Sequence, residues 1–446
     1  MNRPMFLPDA VGLCIRTLEK AGFEAYAVGG CVRDSLLSLQ PHDYDLCTNA
    51  APAETARLFG DYTLVRSGEK HGTIGVVIEK QVIEITTFRA EGGYQDSRHP
   101  GWVRFVPNVE EDLARRDFTV NAMAYSPSRG YIDPFDGQKD LQKGILRAVG
   151  DPRARFAEDA LRILRGVRFA VRFRLTPDAD TLAAMKSLSP LMDNLARERV
   201  FDELCKLLPL LTAKDLATYA PILTQVIPPL APCMDFSQRN PHHIYDVYTH
   251  TAHTVEAAPP RLAVRWAALL HDCGKPSCFA LDENGIGHFY GHAQVSAQLA
   301  DELLLHLKAP TALRERVVFL IEHHMIPLEP DKKLLRRRLG KYGTDALADL
   351  LALQRADALG TGTCEDTARF AAICAAIEEI LAEQACLTVR DLALNGRDLQ
   401  EAGFAPGKDI GACLQWLLEQ VQDERLPNER QALLTAGTGF LQRKSE

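Results

Sequence analysis

Ala25-Tyr-Ala-Val-Gly-Gly-Cys-Val-Arg-Asp34, followed by His42-Asp-Tyr-Asp-Leu46, is the part of the chain on which the fold turns. The run 25–28 predicts a strand, the Gly-Gly pair a tight turn, and the residues after it a helix. Glycines at such a junction let backbone N–H groups approach an anion at the positive end of the helix. Gly29 and Gly30 are therefore candidate phosphate contacts, with Arg33 one turn further on as a candidate cation. A Gly-Gly turn by itself is more often only a turn. In the second stretch alternate residues of a strand face one way, so Asp43 and Asp45 project together. Two carboxylates that close repel unless a cation lies between them. Oxygen-only ligation suits Mg2+, which keeps waters and takes phosphate oxygens as further ligands. Glu84, in the alternating run Val82-Ile-Glu-Ile-Thr86, is the candidate third catalytic carboxylate.

Working outward, 74–78 and 82–86 read as further strands, and 6–20 and 53–59 as helices. The first 145 residues thus form an α+β head. After Asp151-Pro152 the pattern is helical to the end of the chain. Pro-rich breaks at Ile227-Pro-Pro-Leu-Ala-Pro232 and Ala258-Pro-Pro260, and a Gly-Thr-rich one at 360–364, divide the helical part. The expected domains are 1–145 (head), 146–230 (neck), 231–362 (body) and 363–446 (tail).

Of the 446 residues, 46% are apolar and 25% charged, as in an ordinary soluble globular protein. No run reaches the roughly 18 apolar residues of a membrane helix, so no membrane partner is expected. The opening Met-Asn-Arg-Pro-Met-Phe lacks the pattern of a secretory leader. Eleven cysteines include no Cys-x-x-Cys pair, which predicts reduced, packing thiols and a cytoplasmic setting. The formal charge of −8 excludes a protein that coats nucleic acid over its whole surface. One segment differs: residues 142–174 carry nine Lys and Arg against three Asp and Glu.

Within that segment Ala160, Leu161, Leu164, Val167 and Val171 share one arc of a helix expected from Glu158 onward, at about 100° per residue. Asp159 and Arg162 then sit together on the uncovered side. A carboxylate accepts and a guanidinium donates, so together they could read a base edge. Cytosine and adenine both offer an exocyclic amine beside a ring-nitrogen acceptor. On residues alone the pair reads as an ordinary surface ion pair.

Glu111-Asp-Leu-Ala-Arg-Arg-Asp-Phe-Thr-Val-Asn-Ala122 and Phe156-Ala-Glu-Asp-Ala-Leu-Arg-Ile-Leu-Arg-Gly-Val-Arg-Phe169 resemble the signature blocks of class II tRNA nucleotidyltransferases and bacterial poly(A) polymerases. The Gly-Gly and Asp-x-Asp elements resemble the wider superfamily that includes DNA polymerase β. The resemblance covers roughly residues 20–175. It implies a small mixed sheet with helices, then an all-helical neck, body and tail. It also implies addition of C, C and A to a tRNA 3′ end from CTP and ATP with Mg2+. Asp159 and Arg162 correspond to the family's amino-acid template, and Arg116, Arg165 and Arg168 to nucleotide contacts. The stretch 91–99 corresponds to a flexible loop that helps the switch from C to A. Ser38 stands where the family usually has Gly, with little consequence expected. The last 60 or so residues resemble the tail of Gram-positive-type enzymes, which implies a hold on the tRNA elbow.

His250, His271-Asp272 and Asp357 resemble the ligand set of HD phosphohydrolases. That likeness implies a divalent transition metal able to activate water against a phosphate ester. His292 and His323 are candidates for a second ion, and His253 competes with His250 as first ligand. Three rival functions follow: a poly(A) polymerase or A-adding enzyme with the same chemistry, an HD phosphohydrolase as the main role, and a non-catalytic tRNA scaffold. The first is disfavoured by the charge of −8 and by His271-Asp272, the last by the intact Asp43 and Asp45.

Overall fold

The computed structural model describes residues 4–92, 101–240, 244–362 and 367–445. Of the loop expected at 91–99, residues 93–99 lie outside the described residues. The chain forms two compact units, Met1–Leu210 with Thr218–Pro228, and Leu211–Ala217 with Pro229–Glu446.

In the first unit the strands are β1 (Ala25–Val28), β2 (Asp45–Thr48), β3 (Thr63–Val65), β4 (Thr73–Ile78), β5 (Gln81–Thr87), β6 (Arg89–Gly92), β7 (Trp102–Phe105), β8 (Ala124–Ser126) and β9 (Gly130–Ile132). Seven of them make one sheet in the order β3-β4-β5-β2-β1-β8-β9. Within this sheet only β2 and β5 pair in parallel, so it is mixed; a separate short parallel ladder joins Ile145–Leu146 to Thr176–Pro177. β6 and β7 form a separate hairpin.

Alternation along each strand builds two apolar layers. Leu46, Ile83 and Ile85 pack with Cys14, Ile15 and Leu18 of α1 (Asp9–Lys20) on one face. Tyr26, Val28 and Cys47 join Phe88 and Leu113 on the other. Burying a side chain of this size is worth roughly 1.5–3 kcal/mol, so the register is strongly specified.

The helices continue with α2 (Gly30–Leu36), α3 (Pro52–Leu58), α4 (Val109–Ala114), α5 (Gly137–Lys143), α6 (Pro152–Glu158), α7 (Leu161–Phe173), α8 (Ala179–Leu188) and α9 (Arg197–Leu207). The continuous helix expected from Glu158 onward is instead two. Asp159 is extended (φ −143, ψ 101) and links α6 to α7. The predicted arc does face the core: Ala160, Leu164 and Val167 are fully buried. α10 (Ala213–Val226) is divided between the two units.

The second unit is helical apart from a two-residue ladder, Ala280–Leu281 against Gly287–His288. It contains α11 (Val247–Ala257), α12 (Leu262–Leu270), α13 (His292–His306), α14 (Thr311–His323), α15 (Lys332–Tyr342), α16 (Thr344–Gly360), α17 (Thr367–Ala382), α18 (Gly396–Glu401), α19 (Lys408–Gln422) and α20 (Arg430–Ser445). α11, α12, α14 and α16 pack together, and Trp266 of α12 is fully buried. Among the described residues no helix is long and apolar enough to cross a membrane.

Ser38 has more consequence than its sequence context suggests. α2 ends with Leu39 N–H donating to Asp34 O at 2.8 Å and Ser38 N–H to Ser35 O at 3.0 Å, a Schellman closure. That closure puts Ser38 in the left-handed region at φ +58, where a Cβ is strained. Ser38→Gly should raise stability by about 0.5–1 kcal/mol, the relief of strain exceeding the added chain entropy. Urea denaturation measures this; a destabilised variant would contradict it.

Candidate functional site

The sheet register assembles the acidic face. Leu46 lies beside Ile85 across the parallel pair, so Asp45 falls beside Glu84, and both point away from the α1 layer. Asp43 precedes β2 by two residues. Loss of water holds the Asp45 carboxyl above its ordinary range; Arg116 pulls it down, and Glu84 and Asp43 push it up again. The face is thus an oxygen-only cluster whose nearby cation is Arg116.

The backbone at Gly29 favours glycine, and Arg116 lies against it. Gly29 has a φ of +78, and a Cβ there would meet Arg116 Nη1 at 2.7 Å. The Gly-Gly turn therefore seats Arg116 beside the acidic face. Arg33, the candidate phosphate cation, is held by several neighbours. Its Nε and Nη2 donate to Asp34 Oδ1 at 2.9 and 2.6 Å, and its Nη1 to Asn121 Oδ1 at 2.5 Å. The guanidinium also lies over the Phe173 ring, 4.1 Å from its centre. Arg33 ties α2 to α7 and keeps one N–H on each of its Nη atoms.

On α7 the predicted arginines are all in ion pairs. Arg165 donates to Asp117 Oδ2 at 2.9 and 2.7 Å. Burial would raise the Asp117 carboxyl, but Arg165 and Asn121 outweigh it and hold it at about 2. Arg168 donates to Glu203 Oε2 at 2.6 Å and is buried over Phe169. Asp159 and Arg162, expected side by side, have different partners. Asp159 pairs with Arg199 at 2.9 Å and Arg162 with Glu158 at 2.6 Å. Arg199, Asp117 and Glu203 escaped the sequence reading, because nothing in spacing links residues so far apart in the chain. Glu158, four residues before Arg162, could have been found by helical spacing.

In the second unit, His250 on α11, His271 and Asp272 after α12, and Asp357 on α16 converge. Asp357 Oδ1 is 3.0 Å from His250 Nε2 and 3.5 Å from His271 Nε2. Asp272 Oδ2 lies 3.3 and 3.2 Å from the same nitrogens and 2.7 Å from Lys275 Nζ. Its other oxygen is 3.3 Å from His292 Nε2. His292 Nε2 in turn faces His324 Nε2 at 3.3 Å.

His324 is therefore the second-set histidine. His323 is a correction: its ring stacks on Phe319 at 4.5 Å and its Nδ1 bonds the Phe319 carbonyl. Helical spacing could have chosen between them, since buried Val317, Leu320 and Ile321 share the face of 324. His253 stacks on Tyr245 and pairs with Glu256, so His250 is the candidate first ligand that joins the cluster.

His271, His292 and His324 each bind a backbone carbonyl through Nδ1, at 2.9, 2.8 and 2.6 Å. In the neutral ring this leaves a bare Nε2 lone pair aimed inward. Two such lone pairs face each other in His292 and His324 at 3.3 Å, and they repel unless a proton or metal ion lies between them. His250–His271–Asp272 and Asp272–His292–His324 are two buried groups whose ligand atoms fall within 4.8 Å, with Asp272 common to both. Burial, then the His271 charge, pushes His324 down to about 4, while Asp272 holds His271 up at about 10 against burial.

A mixed sheet with an acidic face beside a Gly-Gly turn, joined to an arginine-bearing helix, defines the first unit as that of a nucleotidyltransferase. Residues 25–147 match the family model of the poly(A) polymerase head domain, 174–214 that of the RNA- and SrmB-binding site of polymerase A, and 282–436 that of tRNA nucleotidyltransferase domain 2. The chain belongs to the family of CCA-adding enzymes. It is 36% identical to the CCA-adding enzyme of Levilactobacillus brevis over 95% of this chain and 96% of that protein. The enzyme of Streptococcus sanguinis is 35% identical over 96% and 97%. In three dimensions the chain is similar to the Bacillus stearothermophilus CCA-adding enzyme in complex with CTP, with a TM-score of 0.73 at 26% identity over 98% of both chains. The Thermotoga maritima enzyme complexed with tRNA shares the fold, with a TM-score of 0.63 at 19% identity. Nucleotidyltransferases of this family use a divalent metal ion.

Proposed function

We propose that this chain adds C, C and A in turn to the 3′ end of tRNA, taking CTP and ATP and releasing pyrophosphate without a nucleic-acid template. One observation carries this reading over that of a poly(A) polymerase. The likeness to CCA-adding enzymes runs through both units, where a shared head alone would leave the two open. In each cycle the tRNA 3′-hydroxyl oxygen bonds to the α-phosphorus of the incoming nucleotide. The bond from that phosphorus to the pyrophosphate oxygen breaks.

Asp43, Asp45 and Glu84 are the residues that would hold Mg2+, which lowers the pKa of the attacking hydroxyl and neutralises the leaving pyrophosphate. Arg116, seated on Gly29, is the cation for the triphosphate, with the Gly29–Gly30 backbone beside it. Asp159 accepts from the exocyclic amine of cytosine or adenine, and Arg162 donates to the ring nitrogen. Arg165, with a side chain 36% exposed, and Arg168, which also fixes α7 on α9, are further nucleotide contacts. The partition into 1–145, 146–230, 231–362 and 363–446 is part of the proposal, with the tail on the tRNA elbow. So is a cytoplasmic setting, supported by the free thiols of the described cysteines.

Asp43→Ala should lower nucleotide addition at least about a hundredfold while leaving tRNA binding within a few-fold. Primer extension and filter binding measure the two; wild-type turnover in this variant would remove the metal assignment.

A second site is supported by the facing imidazoles of the other unit. His250, His271, Asp272 and Asp357 fit a divalent transition metal, and His292 and His324 a further ion that shares Asp272. Such ions supply a hydroxide able to attack a phosphate ester. The purified chain should carry about one to two equivalents of transition metal by elemental analysis. His271→Ala and His324→Ala should each lower that content and His323→Ala should not; equal content in all three would overturn the assignment.

A further inference from the structure

The two residues proposed to face the base are each held by other groups of the first unit. Asp159 Oδ1 accepts from Leu161 N–H at 3.1 Å, and its Oδ2 accepts from Arg199 Nη2 at 2.9 Å. Arg162 Nη1 donates to Glu158 Oε2 at 2.6 Å and to Arg155 O at 3.0 Å, and its Nη2 to Arg115 O at 3.0 Å. A carboxylate oxygen has two lone pairs and a guanidinium five N–H groups. Arg199 Nη1 also donates to Asp159 Oδ1, at 3.5 Å; Asp159 thus keeps an acceptor position on Oδ2, and Arg162 keeps its Nε–H and one Nη2–H. Both are pinned without being used up.

Arg199 differs from the other holders. It stands in the first turn of α9, 40 residues from Asp159 in the chain, so the contact is tertiary. The pair is largely screened from water, with side chains 25% and 16% exposed. Its effect on base choice follows from what a wrong base presents. Cytosine and adenine place an amine opposite Asp159, whereas uracil and guanine place a carbonyl oxygen there. A carboxylate free to turn about its side-chain bonds swings away from that carbonyl and escapes the repulsion. One pinned by a guanidinium cannot, and the repulsion is felt in full.

We infer that Arg199 is a positioning residue that determines nucleotide specificity: it fixes the Asp159 carboxylate, so that UTP and GTP meet an anion that cannot turn aside. The inference rests on the reading of Asp159 as a base contact. It assigns Arg199 a role in discrimination and none in phosphoryl transfer.

The test is the ratio of kcat/KM for CTP to that for UTP, on tRNA ending at the discriminator base, in wild type, Arg199→Ala, Arg199→Lys and Asp159→Ala. Arg199→Ala should lower the ratio about tenfold or more, with kcat for CTP within a few-fold of wild type. Arg199→Lys keeps the charge but loses the planar fork and should fall between. An unchanged ratio in Arg199→Ala, or equal losses for CTP and UTP as a merely structural role would give, overturns the inference. If Arg199→Ala does not fold, Arg199→Lys decides by the same ratio. A ratio that collapses in Asp159→Ala but not in the Arg199 variants sinks the inference and leaves the base reader standing. If Asp159→Ala also keeps the ratio, the base reader itself is wrong.

Discussion

Like charges held on neighbouring strands are the constraint around which the first unit is arranged. The parallel pairing of β2 with β5 sets Asp45 beside Glu84, and the same register sends Leu46 and Ile85 into the layer under α1. A slip of one residue would bury both carboxylates in apolar surroundings and expose the apolar set. The stability of the sheet and the composition of the acidic face are therefore set together. The mutual repulsion of the acids is met on one side by Arg116, seated where Gly29 leaves room. A divalent cation is the remaining counter-charge that the cluster suits.

The arginines of the head and neck follow a second rule. Arg33, Arg162, Arg165, Arg168 and Arg199 each have an acidic partner, and most of these pairs are half-buried or deeper. A guanidinium held this way cannot search for a ligand; it presents whichever N–H groups its partner leaves over. Removing one partner of a buried pair leaves a stranded charge, at a cost of roughly 3–5 kcal/mol. The net charge of −8 is compatible with an anionic substrate because what matters locally is the placement of these cations. Asp159, extended between α6 and α7, belongs to the same arrangement, and the break in the helix is what lets Arg199 reach it.

Much of this was legible in the sequence, for physical reasons that differ by element. Strict alternation in 82–86 and the Gly-Gly junction at 29–30 are local signals, and the strands and turn appear where they predict. The break at Asp159 was not legible, because the apolar arc continues through it and only the backbone changes. Arg33 has partners, Asn121 and Phe173, that are distant in the chain and that no local pattern reveals. Likewise Ser38 hides its strain, which depends on how α2 closes and not on composition. His323 and His324 were separable in principle by helical phase, a signal the ligand pattern alone does not use. The convergence of His250, His271, Asp272 and Asp357 was expected from a motif, but the sharing of Asp272 between two groups needed the fold.

The central claim is that one acidic face adds three nucleotides in a set order to tRNA. The direct measurement is to supply Mg2+, CTP, ATP and a tRNA transcript ending at its discriminator base, and then to sequence the 3′ ends. Ends that read CCA and stop there are the predicted result. Long A tails, A added only to transcripts already ending in CC, or no addition by folded protein would contradict the account.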